Sequence, residues 1–255
     1  MMGTSWRPEH VRVVFCDVDG TLFPSEPIAI EASLDVTNRF VEALGLPVRF
    51  EQEELRRATS GKNFRALATL IAAGTEQWGA PAVVLSSDEL EKWVDEESQI
   101  VSAHLRERLR PDPDVLSVVD LLSTRFEMAA VSASSLVRLQ ASFEATGLER
   151  YFPQGRRFSA EDSLATPVSK PDPAVYLEAI ARVGVPQEHV LAIEDSLPGV
   201  QSAVAAGCPT IGNLTFVDPA DRDRRREDMR EAGVIVVVDR WADLPAVLGL
   251  PAHAG

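Results

Sequence analysis

The sequence predicts an α/β fold built on a parallel sheet, with an all-helical module inserted after the first strand. Three observations predict it. Short, near-continuously apolar runs of strand length recur along the chain, as expected for strands buried on both faces. Amphipathic helical patterns separate the later runs, and alternating strand and helix is the pattern of a parallel α/β sheet. From about Ser25 to Leu109 the text changes: helical periodicity continues, but no buried-strand run interrupts it.

The first apolar run is "VRVVFCDVDG" from Val11. The helical segment then supplies "IEASLDVTNRFVEALG", ending at Gly45, a helix beginning near "EQEELRRA" from Glu51, "NFRALATLIAAG" from Asn63, and "DELEKWVDEESQIVSAHLRERL" from Asp88. Trp78 and Trp93 are expected to pack inside this module. The alternative is one continuous α/β domain with extra surface helices. In "DPDVLSVVDLLSTR", Val115, Val118, Val119 and Leu122 share one helix face. The second strand run is "EMAAVSASS" from Glu127. In "SSLVRLQASFEATG", Leu136, Leu139 and Phe143 share a face behind a serine N-cap, and Gly147 stops the helix. "DPAVYLEAIARVG" repeats that design and closes at Gly184. "HVLAIEDS" from His189, "PTIGN" from Pro209 and "GVIVVVDR" from Gly233 are the remaining strand runs, with the helix "PGVQSAVAAG" closing at Gly207.

Composition narrows the function. The 255 residues are 45% hydrophobic and 25% charged, enough for one large domain or a domain with an inserted module. A formal net charge of −14 argues against a binder of phosphate backbones, so no nucleic-acid partner is expected. "DRDRRRED" from Asp221 interleaves both signs, with Asp221 and Arg225 at i,i+4 spacing, and is expected to be a solvated helix face. No apolar run is long enough to span a membrane and the start "MMGTSWRPEH" has no apolar leader, so a cytoplasmic protein with no membrane partner is expected, as a monomer or small homo-oligomer. Cys16 and Cys208 show no disulfide or metal spacing and are expected as buried thiols. His10, His104, His189 and His253 belong to no ligand pattern.

In open α/β sheets ligands bind outside the carboxyl ends of the strands. The first strand run ends in Asp17 and Asp19, the second in Ser132-Ala133-Ser134, the third in Glu194-Asp195-Ser196, and Lys170 stands in "SKPDP" just before a helix. Neighbouring carboxylates repel unless a cation or a proton relieves them. Clustered carboxylates suit Mg²⁺, which commonly binds through one or two of them plus waters and substrate phosphate. A carboxylate can also be a nucleophile, and a second one can shuttle the proton of a leaving group. Ser132 and the backbone N–H groups that follow it can cradle phosphate oxygens, with Lys170 neutralising charge.

Read in order, "DVDGT", "VSAS", "SKPDP" and "IEDSLPGV" resemble the four motifs of the haloacid dehalogenase superfamily of phosphohydrolases. The surrounding text is similar to the subfamily with β-phosphoglucomutase and the small sugar-phosphate and phosphoglycolate phosphatases. The resemblance covers roughly residues 11–24 and 110–247 and is weaker across the helical insert. It implies a doubly wound, Rossmann-like catalytic core of residues 1–24 and 110–255, with residues 25–109 as a mobile helical cap. It implies a Mg²⁺-dependent phosphatase of a small phosphomonoester, a sugar or polyol phosphate. Asp17 matches the nucleophile and a metal ligand; Asp19 matches the general acid/base, with its backbone carbonyl on the metal. Ser132, Ala133 and Lys170 match the phosphate binders. Asp195 matches the last metal ligand, and Glu194 a direct or water-mediated one. In "TSGKNFRAL", Lys62 and Arg65 stand where similar proteins read the non-reacting part of the substrate. Three alternatives share this core: a phosphosugar mutase, a haloacid dehalogenase and a non-catalytic binding protein. Mutases carry a histidine where Ala29 stands here, dehalogenases lack an acid/base aspartate at the position of Asp19, and an intact motif set argues against idleness. "DGTLFPSEP" also departs from the common text at Phe23-Pro24.

Overall fold

The computed structural model describes residues 6–59, 63–74 and 82–251. Strand β1 (Val13–Cys16) is the centre of a sheet in the order β3-β2-β1-β4-β5-β6, and every neighbouring pair is parallel. The others are β2 (Glu127–Ser132), β3 (Arg157–Ser159), β4 (Val190–Glu194), β5 (Thr210–Asn213) and β6 (Val236–Val238). Their alternation fixes the layers. Val14 and Cys16 enter one apolar cluster with Val115, Val119 and Leu122 of helix α5 (Pro113–Ser123). Val13 and Phe15 enter another, with Val175, Tyr176 and Ala179 of α7 (Ala174–Val183) and Ala203 of α8 (Leu197–Ala205). Successive side chains of a strand point to opposite faces, so β1 is covered on both sides and the sheet is doubly wound.

Among the described residues, four α-helices lie in sequence between β1 and α5: α1 (Glu26–Ala43), α2 (Gln52–Thr59), α3 (Phe64–Ala72) and α4 (Ser87–Arg108). They share an apolar cluster of their own, which includes Val36, Phe40, Leu55, Phe64, Leu67 and Ile71. Trp93 meets Phe40 edge-on with ring centroids 5.6 Å apart; Trp78 lies outside the described residues. Ala29 and Ala32 of α1 and Val101 and Leu105 of α4 join the cluster of the sheet instead, which anchors the insert. Helix starts follow local chemistry: Ser86 makes a reciprocal capping box with Glu89, and the Asn63 side chain accepts from Ala66 N–H. Phe23, from the divergent Phe-Pro pair, is buried and packs edge-on against Phe143. Among the described residues no helix is long and apolar enough to cross a membrane. Both cysteines are free and buried.

Three sequence expectations need correction. The sheet has a sixth strand, β3, which no apolar run announces. It has three residues and starts at Arg157, a charge that is buried by lying 4.8 Å from the centroid of the Phe143 ring and donating 2.6 Å to the Phe152 carbonyl. Leu136 opens helix α6 (Leu136–Thr146) and is exposed, while Leu139 and Phe143 are buried as expected. In α9 (Arg222–Glu231), Asp221 pairs with Arg224 at 2.7 Å rather than with Arg225. Arg225 turns inward instead and donates 2.8 Å to the carbonyl of Asp195.

Candidate active site

The register of the sheet brings the expected residues to one edge. Cys16 is level with Ala130 on β2 and Ile193 on β4, so Asp17 follows β1 beside Val131 and Glu194. Asp17 is buried. Lys170, also buried, donates to Asp17 Oδ1 at 2.6 Å, to Glu194 Oε1 at 2.7 Å and to the Val131 carbonyl at 3.0 Å. One ammonium thus spends its three protons on three strand ends. The Tyr176 hydroxyl donates to Glu194 Oε1 at 2.6 Å. Thr21 Oγ1 lies 3.0 Å from Asp17 Oδ2 and 3.1 Å from Asp195 Oδ1, tying the loop after β1 to the loop after β4.

Two glycines allow this crowding. Gly20 has φ +86, and a Cβ there would lie 2.5 Å from Asp195 Oδ2. A Cβ on Gly199 would lie 1.9 Å from Glu194 Oε2. At both points only glycine leaves room for the carboxylate.

Asp17, Glu194 and Asp195 each offer an oxygen, and these oxygens lie within 4.8 Å of one another. Burial and mutual repulsion push all three carboxyls up. Burial acts first on Asp17, opposed mainly by Lys170. Burial and then Asp17 raise Glu194 to about 7. Burial, Asp17 and Glu194 raise Asp195 well above the usual range. Burial opposes the charge of Lys170, but Asp17 and Glu194 outweigh it and its pKa rises. Glu194 Oε2 is buried without a hydrogen-bond partner. An all-oxygen donor set, an orphaned carboxylate oxygen and three carboxylates set against one ammonium all fit a hard divalent cation such as Mg²⁺.

Asp19 has a different environment. Ser25 Oγ donates to its Oδ1 and Ser134 Oγ to its Oδ2 at 2.6 Å; Ser132 Oγ is 3.4 Å from Oδ2, and Arg138 Nη2 is 3.5 Å from Oδ1. Burial alone would raise this carboxyl, but Arg138, Ser134 and Ser25 outweigh it and hold the pKa below the ordinary value. Two carboxylates two residues apart are therefore pushed in opposite directions. Ser132 is buried at the end of β2 and accepts from Ser134 N–H at 3.0 Å; Ala133 follows, half-buried. Ser135, not Ser132, caps α6.

Lys62 lies outside the described residues. Arg65 does not present a free guanidinium. Its Nη2 donates 2.7 Å to Glu91, and its Nε donates to Glu161 in the loop after β3. Asn63 donates to the other oxygen of Glu161. Arg65 thus ties the helical insert to the sheet edge. Sequence reasoning also missed Thr21, Ser25, Tyr176, Arg138 and Arg225. Thr21 stood in view within "DGT"; the others are brought in by helices whose patterns read as ordinary packing or solvated charge.

A description of haloacid dehalogenase-like hydrolases matches residues 11–207. The chain is 27% identical over 230 residues to the glyceraldehyde 3-phosphate phosphatase of Methanopyrus kandleri, covering 84% of this chain and 90% of that protein. It is 28% identical over 202 residues to the phosphorylated carbohydrates phosphatase of Thermotoga maritima, covering 79% and 84%. Among solved structures it resembles a conserved haloacid dehalogenase-like protein of unknown function from Agrobacterium tumefaciens, with a TM-score of 0.65 and 26% identity over 94% of this chain and 98% of that one. The matched span takes in β1, the helical insert, Lys170 and the Glu194-Asp195 pair, and this chain belongs to the haloacid dehalogenase-like hydrolases.

Proposed function

We propose that this hydrolase is a Mg²⁺-dependent phosphatase of a small phosphorylated sugar or polyol, working through an aspartyl-phosphate on Asp17. The observation that carries the reading is the cluster of buried Asp17, Lys170 and Glu194 with half-buried Asp195 at the carboxyl edge of the sheet. Relatives named as phosphatases of glyceraldehyde 3-phosphate and of phosphorylated carbohydrates support the substrate class.

Asp17 and Asp195 would hold the cation, with Glu194 direct or through water and the Asp19 carbonyl completing the protein's share. Bound Mg²⁺ would offset the carboxylate charge and polarise the phosphoryl oxygens. Asp17 Oδ attacks phosphorus, the bond from phosphorus to the ester oxygen breaks, and Asp19, ionised at rest and protonated only in the substrate complex, gives that oxygen its proton. The Asp19 carboxylate then takes a proton from water, whose oxygen attacks phosphorus. The bond from phosphorus to Asp17 breaks, releasing inorganic phosphate and restoring the carboxylate. Ser132 and the Ala133 amide hold the phosphoryl oxygens while Lys170, its protons already engaged, offsets their charge, and fixed donors at developing charge supply most of such catalysis. Lys170 also fixes Asp17 in place through Oδ1, and Tyr176 keeps Glu194 from turning.

Residues 25–109 act as the cap over a core of residues 1–24 and 110–255, closing to exclude bulk water. Ala29 is buried on α1 and has no group that can move a proton, which supports hydrolysis over transfer between sugar hydroxyls. Phosphate release from a panel of sugar and polyol phosphates, with Mg²⁺ and with excess chelator, tests the reading. Release that depends on the metal and vanishes in Asp17→Asn is expected; full turnover in chelator contradicts it.

A further inference from the structure

A guanidinium presents a planar fork of N–H donors, and buried donors of this kind normally find acceptors. Arginines near the carboxyl ends of the strands show how such donors are met. Arg65 is held by Glu91 and Glu161, Arg222 donates to the carbonyls of Thr215 and Val217, and Arg225 donates to that of Asp195. Arg138 differs. It stands in the first turn of α6 with a side chain only 19% exposed. Its Nε–H is buried without a partner, and among the described residues its guanidinium donates no hydrogen bond. Its ion-pair contact is the 3.5 Å approach of Nη2 to Asp19 Oδ1. Glu97, buried on α4 of the insert, is a further charged neighbour, and its carboxyl is pushed up by burial and drawn down by Arg138.

Position says what the fork is for. On the mechanism above, the transferred phosphoryl belongs to Asp17, Lys170 and Ser132, while Asp19 meets the ester oxygen. A donor beside Asp19 therefore meets the organic part of the substrate. The fork matches two oxygens of one carboxylate or phosphate group, and neutral hydroxyls cannot satisfy it in the same way. We propose that Arg138 binds an oxyanion on the leaving group, a carboxylate or a second phosphate, and so selects phosphorylated sugar acids or sugar bisphosphates over neutral polyol phosphates. This inference rests on the phosphomonoester reading.

The test compares kcat/KM of the wild type, Arg138→Ala and Arg138→Lys on two matched pairs. Phosphogluconate and sorbitol phosphate, both esterified at C6, differ at C1 by a carboxylate in place of a hydroxymethyl group. Glucose bisphosphate and glucose monophosphate, sharing the C6 ester, differ by the phosphate at C1. The wild type should favour the acidic member of one pair by about 10- to 100-fold, the worth of one charge-assisted hydrogen bond. The pair that shows it identifies the oxyanion. Arg138→Ala should bring that ratio near one, chiefly through KM, and Arg138→Lys should retain part of it. Where the alanine variant does not fold, Arg138→Met keeps the packing of the stem and serves instead. A wild type that favours the acidic member of neither pair, or a ratio that survives in the variants, overturns the assignment, because a purely structural role would lower both members alike. Hydrolysis of none of the four esters nor of p-nitrophenyl phosphate would overturn the phosphatase reading itself.

Discussion

Gly199→Ala is a single methyl group aimed at the candidate metal site. The added carbon would lie 1.9 Å from Glu194 Oε2, 2.3 Å from its Cδ and 2.5 Å from Oε1. The carboxylate cannot swing aside freely, because Lys170 at 2.7 Å and Tyr176 at 2.6 Å both hold Oε1. Either helix α8 withdraws from the sheet or Glu194 gives up a partner. Forcing an extra carbon into a packed core costs about 1–3 kcal/mol, and a lost hydrogen bond to a charged group about 1.5–3 kcal/mol. Whichever route is taken, the cost is about 1–3 kcal/mol, which for a chain of this length lowers Tm by about 2–12 °C. Thermal unfolding by circular dichroism reads the stability, and calorimetric titration with Mg²⁺ reads the site. Gly155→Ala is the control, since a Cβ there meets nothing within 4 Å. A Gly199→Ala protein with the Tm and Mg²⁺ affinity of the wild type would refute the claim that this helix start is shaped around Glu194.

Tyr176→Phe removes the hydroxyl that donates to Glu194 and leaves the ring in place; it should cost about 1.5–3 kcal/mol in unfolding experiments and weaken Mg²⁺ binding measured by calorimetry. Proton and metal should compete at the carboxylate cluster. Glu194 is raised from 4.5 to about 7, so its contribution to stability is present at low pH and is lost as pH rises toward about 7. Added Mg²⁺ should therefore raise Tm more at about pH 8 than at about pH 5, with a lower apparent affinity on the acid side; equal shifts at both would contradict the ionisation assigned to the cluster. Arg65→Ala should speed amide hydrogen exchange in α3, because it breaks the contacts to both Glu91 and Glu161, and should lower activity on all substrates alike. A loss confined to one substrate would return Arg65 to the role of substrate reader.

What the sequence shows of this site follows from how the fold is encoded. A strand buried on both faces must be apolar, so the first polar residue after each run marks its carboxyl end. That made Asp17, Ser132 and Glu194-Asp195 legible as neighbours although they are far apart along the chain, and only the sheet register places them side by side. Lys170 was legible through its place before two prolines. Tyr176 was not, because its ring belongs to the apolar face of α7 and only its hydroxyl reaches Glu194. The pairing of Arg65 was not legible because its acceptors, Glu91 and Glu161, are 26 and 96 residues away and no local pattern links them. Arg138 drew no reading from the sequence, and only its half-buried place beside Asp19 sets it apart. Strand β3 escaped notice for the opposite reason: its one arginine is buried against Phe143.

The central claim is that Asp17 carries the phosphoryl group and Asp19 moves the proton, and trapping the intermediate tests it most directly. Asp19→Asn keeps the size of the side chain and the backbone carbonyl but removes the acid/base group. An aryl phosphate, whose leaving group needs no proton, should still phosphorylate Asp17, while the second half-reaction stalls; loss of such help typically costs about 10²–10⁴ in rate. Intact-protein mass spectrometry after an acid quench should show one added phosphoryl group in Asp19→Asn and none in the Asp17→Asn, Asp19→Asn double variant. Near-normal steady-state turnover of an unactivated sugar phosphate by Asp19→Asn, or an equal mass gain in the double variant, would contradict the account.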